Sequence, residues 1–118
     1  MKQFLFVFLG GGLGSMVRFG VSLLIQQFGK PVFPIATLTA NFLSCIVLGL
    51  AAGIWSKQLL NFPYLNIMLI VGFCGGFSTF STFSLESLAL LRDGNYYLFA
   101  LNILLSLILC ISVLWILK

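Results

Sequence analysis

The chain has 118 residues, of which 61% are hydrophobic and only 7% charged, and it contains no histidine. That mixture excludes a soluble domain, which must cover itself with polar side chains, and places the chain in a bilayer. The formal charge of +4 does not point to nucleic acid, because the six cations (Lys2, Arg18, Lys30, Lys57, Arg92 and Lys118) are scattered singly and form no patch that grips phosphates.

A hydrocarbon core of about 30 Å needs roughly 20 helical residues, and four segments reach that length. The first runs from Phe4 to Phe28. Lys2 before the apolar run Phe4 to Leu9 raises the question of a secretory signal. No small-residue cleavage site follows cleanly and Arg18 comes soon after, so Met1 is expected to start the mature chain. Gly29-Lys30-Pro31 closes this span. The second runs from Pro34 to Trp55 and is followed by Ser56-Lys57-Gln58, Asn61 and Pro63. Pro34 and Pro63 stand near helix starts, where a missing N–H is harmless. The third runs from Pro63 to Leu91, the fourth from Tyr96 to Leu117, with Arg92-Asp93-Gly94-Asn95 between them. The expected fold is therefore an all-α, four-helix transmembrane domain covering residues 1–118.

Three glycine pairs, Gly10 with Gly14, Gly49 with Gly53 and Gly72 with Gly76, have the small-xxx-small spacing that lets helices approach closely. They serve packing within the chain or against a second copy. Cys45, Cys74 and Cys110 lie in apolar runs without CxxC spacing or a histidine, and are read as small buried hydrophobes.

The third span carries the chemistry. As one straight helix it would measure about 43 Å at about 1.5 Å per residue, too long for the core unless tilted or broken. Its middle, from Gly72 to Ser84, supplies a breaking point. Gly75-Gly76 is poor helix, and the hydroxyl residues from Ser78 to Ser87 can bond to backbone in other conformations. Non-helical backbone at membrane depth is tolerated only where it is buried in protein or lines a wet cavity, so a mid-membrane break implies a site. Freed carbonyls there suit a small hard cation, and a half-helix N-terminus suits an anion.

Beyond the break, Phe80, Phe83 and Glu86 or Ser87 share a face by i, i+3 and i+4 spacing. A ring edge is the positive end of its quadrupole, so a phenylalanine pair can touch an anion while excluding water. The competing reading is a Ser/Thr-rich helix that bonds its own backbone with its phenylalanines toward lipid.

Four spans put Lys2, Lys57 and Lys118 on one side and Lys30 and Arg92 on the other. The positive-inside rule needs a lopsided count, so this balance predicts insertion in both directions and an antiparallel, dual-topology homodimer. No internal repeat is present to supply such symmetry within one chain. Two charges fall inside spans, Arg18 and Glu86, at compatible depths. Either they form a structural ion pair, or Arg18 borders an electropositive vestibule while Glu86 faces the aqueous end of a polar track.

Three motifs in chain order carry a family resemblance. Gly75-Gly76-Phe77-Ser78-Thr79-Phe80-Ser81-Thr82-Phe83 resembles the third-helix signature of the Fluc (CrcB) fluoride channels. Gly11-Gly12-Leu13-Gly14-Ser15-Met16-Val17-Arg18-Phe19 is similar to that family's glycine-rich stretch ending in arginine, and Thr37-Leu38-Thr39-Ala40-Asn41 to its Thr-Leu-x-x-Asn. The chain departs from the common pattern at Ala36, Ser44 and Cys45, where Gly, Gly and Ser are expected, which bears on packing of the second helix.

The resemblance implies an antiparallel homodimer with two fluoride pathways in a bacterial cytoplasmic membrane, and passive export of fluoride. It also implies a structural sodium ion at the dimer centre, held by backbone oxygens at the positions of Gly75 and Ser78. By the same carry-over, Phe80 and Phe83 are pore phenylalanines, Asn41 is a polar pore residue, and Ser81 and Thr82 begin a hydroxyl track that passes Glu86. Asn102 and Ser106, sharing a face of the fourth span at i, i+4, continue it.

The competing function is a small multidrug transporter, another four-span antiparallel pair. It needs a carboxylate in the first span, and none is there. An inert assembly subunit does not require one span dense in Gly, Ser, Thr and Phe. An enzyme is disfavoured because no nucleophile has a recognisable base or orienting partner.

Overall fold

Backbone groups in hydrocarbon must pair within their own segment, and the computed structural model, which describes residues 1–118, is accordingly helical from end to end. Helix α1 spans Lys2–Gln26 and stops at Gly29, whose φ of +119° lies in a region other residues avoid. Helix α2 spans Ile35–Ile54 and finishes in a widened turn, where the Trp55 N–H donates to the Leu50 carbonyl at 2.8 Å. A short helix α3, Ser56–Leu59, fills the connector.

The third span is built in two pieces. Helix α4 covers residues 63–77, starting at Pro63 and winding as a π-helix over Met68–Phe73. Helix α5 covers Phe80–Arg92, and after Gly94 helix α6 runs Tyr96–Leu117. The four expected spans are present, each within two residues of its expected ends, and all four are long and apolar enough to cross a membrane.

Helix α1 packs along α4, and α2 along α6. Lipid tails offer no hydrophobic incentive for helices to meet, so close van der Waals approach and interhelical hydrogen bonds must hold the bundle. Both are visible. The Gly10/Gly14 and Gly72/Gly76 pairs face each other: a Cβ at Gly14 would strike the Phe73 carbonyl, and one at Gly76 the Gly11 carbonyl. Gly49 and Gly53 lie against Leu117 instead. All three pairs thus serve packing within the chain.

The hydrogen bonds come from a polar interior. Thr37, Ser44, Thr79, Ser87, Asn102 and Ser106 are buried, whereas Phe4, Phe8, Phe80, Trp115 and Ile116 point outward. A bundle that hides hydroxyls and displays aromatics is organised for an apolar surrounding.

Candidate functional site

The third span is interrupted at Ser78 and Thr79, which are extended (φ −78°, ψ 155° and φ −148°, ψ 117°). Gly75 and Gly76 remain helical, so the interruption follows the glycine pair by two residues. The backbone yields where side chains can replace the lost helical bonds. Asn41 on α2 does this twice: its Oδ1 accepts from the Thr79 N–H at 2.7 Å, and its Nδ2 donates to the Thr79 carbonyl at 3.2 Å. The Thr79 Oγ1 then caps α5 by accepting from the Thr82 N–H at 3.2 Å. On the other side of the break, the Cys74 carbonyl accepts from the Ser78 N–H, the Ser78 Oγ at 2.8 Å and the Ser44 Oγ at 3.0 Å.

These substitutions release two carbonyls. In an unbroken helix the Gly75 oxygen would accept from the Thr79 N–H and the Ser78 oxygen from the Thr82 N–H, but both donors are engaged elsewhere. Gly75 also lies at the surface, with open space where a side chain would stand.

The expected site residues divide between two sides of α5. On one side, a cavity of about 240 Å³ is lined by Asn41, Ser78, Phe80, Phe83 and Ser106. The phenylalanine rings are tilted to one another with centroids 5.8 Å apart. On the other side, a cavity of about 260 Å³ is lined by Arg18, Thr37, Thr82 and Glu86. Thr79 borders both. Ser81 is exposed beside the break, its Oγ 3.3 Å from the Thr79 Oγ1.

Within the second cavity, Glu86 Oε1 accepts from the Thr37 Oγ1 at 2.9 Å, while its Oε2 is buried without a hydrogen bond in the chain. Arg18 and Glu86 share this space without hydrogen-bonding to each other. Asn102 lines neither cavity. It is buried between α5 and α6, donating to the Ser87 Oγ at 3.0 Å. Ser106, one turn further along α6, has a buried hydroxyl oxygen with no partner.

The family described as CrcB-like protein, Camphor Resistance (CrcB), matches residues 5–117. The chain belongs to the CrcB family. Among its relatives, a protein from Azobacteroides pseudotrichonymphae is 43% identical over 92% of this chain and 86% of its own length. Another from Flavobacterium psychrophilum is 40% identical over 98% of this chain and 93% of its own, and one from Methylobacillus flagellatus 39% identical over 98% and 91%. All three carry the name fluoride-specific ion channel FluC.

Two contributors to the site in this CrcB chain escaped the reading by motif. Thr37 orients the Glu86 carboxyl, and Thr79 links the two cavities. Thr79 carried one local signal: a threonine three residues before Thr82 at a helix start is a capping pattern. Thr37 carried none, since its partner is 49 positions away.

Proposed function

We propose that this chain is a fluoride channel, working as an antiparallel homodimer that lets fluoride leave a bacterial cell passively across the cytoplasmic membrane. The observation that carries the reading is the interrupted third span, in which a backbone held open by Asn41 joins a phenylalanine-lined cavity to a hydroxyl-lined one. The relatives' printed name supports the choice of ion.

Fluoride holds its water tightly, so a path for it must return hydrogen bonds as the water leaves. In this reading the Arg18 guanidinium attracts the ion into the second cavity, where the Thr37 and Thr82 hydroxyls offer donors and Ser81 extends the track. Glu86 accepts from Thr37 and so holds that hydroxyl in place. Asn41 and Ser106 supply polar groups beside Phe80 and Phe83, whose ring edges take the ion where water does not fit. Asn102 acts at one remove, clamping α5 to α6 through Ser87 so that the phenylalanine face keeps its register.

Glu86 is the only acidic side chain within a span, so there is no relay of titratable groups for proton coupling. An inside-negative potential pushes an anion out with about 2.3 kcal/mol per 100 mV, which suffices for passive export.

A second copy completes the arrangement in two respects. The break and Phe80 lie at the surface of a single chain, with Phe80 80% exposed, where an inverted partner would enclose them. The freed Gly75 and Ser78 carbonyls are uncharged hard oxygens suited to sodium, and the pair from each copy would face a shared ion at the dimer centre. Bound there, the ion would supply positive charge that fastens the two breaks together.

Purified protein in liposomes loaded with fluoride is expected to release it, as read by a fluoride electrode, and a C-terminal reporter is expected on both faces of the membrane. Vesicles that stay fluoride-tight would remove the channel reading, and a tag confined to one face would remove the antiparallel one. Arg18→Gln is expected to lower the release rate roughly tenfold, the equivalent of about 1.4 kcal/mol, and to leave assembly intact on size exclusion. Loss of assembled protein would instead make Arg18 a structural charge.

A further inference from the structure

Cys45 and Cys110 lie far apart in sequence, on α2 and α6, yet their thiols come within hydrogen-bonding reach of one another. Each stands one helical turn beyond a polar residue of the phenylalanine cavity, Cys45 after Asn41 and Cys110 after Ser106, and all four line that cavity. Both thiols are free and only partly buried. Cys74 is the contrast, being buried and outside the cavity lining.

We propose that Cys45 and Cys110 together form a binding site for a soft d10 metal ion, the class of Cu+, Ag+ and Hg2+, set in the wall of the phenylalanine cavity. Thiolates select such ions over hard ones. The polar neighbours Asn41, Ser78, Thr79 and Ser106 are all neutral, so no carboxylate is present to favour Mg2+ or Ca2+. Two opposed sulfurs provide the two-coordinate geometry that these ions accept.

Binding of Hg2+ breaks two S–H bonds and forms two Hg–S bonds, with the two protons passing to water; no electron is transferred. The product carries no net charge, which matters in an interior where an unpaired charge is costly. The bound ion occupies space between Asn41 and Ser106 and the phenylalanine rings, so it obstructs the cavity. That consequence for flux rests on the channel reading, whereas the site itself does not.

The test titrates mercuric nitrate into purified protein in chloride-free buffer and follows the ultraviolet thiolate–mercury band. One Hg2+ per chain is expected, with both Cys45 and Cys110 protected from maleimide on mass analysis, and release by dithiothreitol. Cys45→Ser and Cys110→Ser are each expected to weaken binding by about 100-fold or more, since the second sulfur then no longer acts at high effective concentration. Cys74→Ala is expected to keep the full affinity. Two ions per chain, or unchanged affinity in the single serine variants, would overturn the shared site, and so would maleimide labelling of either thiol in the mercury-loaded wild type. In liposomes, mercury is expected to halt fluoride release and dithiothreitol to restore it. Protein that binds one Hg2+ as described but releases no fluoride before mercury is added counts against the channel alone.

Discussion

Phe80→Ile combined with Phe83→Ile is expected to reduce fluoride release from liposomes by roughly 10- to 100-fold while leaving the yield and size-exclusion profile of the protein unchanged. Isoleucine is as apolar as phenylalanine but has no quadrupole, so the substitution removes the electropositive ring edge and little else. Each aromatic edge contact is worth about 0.5–1.5 kcal/mol; two lost together raise the barrier by about 1–3 kcal/mol, and each 1.36 kcal/mol is tenfold in rate. Folding should be spared at Phe80, because that ring makes few contacts within the chain and is 80% exposed. A double variant that conducts like the parent would show that the aromatic pair is lipid-facing packing and that selectivity lies elsewhere.

The second large effect is structural and comes from neighbouring glycines on α1. Gly14→Ala is expected to lower the thermal stability of the detergent-solubilised protein sharply. The added methyl would collide with the Phe73 carbonyl and come within 2.8 Å of the Phe77 nitrogen, both of them backbone atoms that cannot swing aside. Helix α1 must then shift away from α4, at the cost of about 1–3 kcal/mol typical of overpacking. It would also disturb the segment that leads into the break. Gly12→Ala, two positions away, meets nothing within 4 Å and replaces the poorest helix former but proline with the best. That change is expected to hold stability or raise it by up to about 1 kcal/mol. Paired melting curves of the two variants separate close packing from helix propensity: equal shifts would refute the contact between the two glycine pairs.

The bundle and its site were legible to different depths. Span lengths came through because a helix in hydrocarbon satisfies its own backbone, so the run of apolar residues alone decides where it begins and ends. Glycine and proline then mark the connectors, as Gly29 and Gly94 do with their positive φ. The concentration of Gly, Ser, Thr and Phe between Gly72 and Ser84 marked where the third span would yield, and the motifs around Arg18, Asn41 and Phe80 marked the family that residues 5–117 match.

Contacts between spans decided the remainder. Gly75-Gly76 has the weaker helical propensity, yet the helix gives way at Ser78 and Thr79, because only there does Asn41 arrive from α2 with a donor and an acceptor for the exposed backbone. The polar residues of α5 read as one track but face two cavities, since a helix turns about 100° per residue and the neighbours on each side differ. Cys45 and Cys110, which no spacing rule would pair, meet across α2 and α6. Sequence by itself determined what each segment must do in an apolar solvent, which is a local property of its own residues. Only the tertiary structure decided which side chain answers which backbone group, because those partners lie tens of residues apart and are chosen by helix packing.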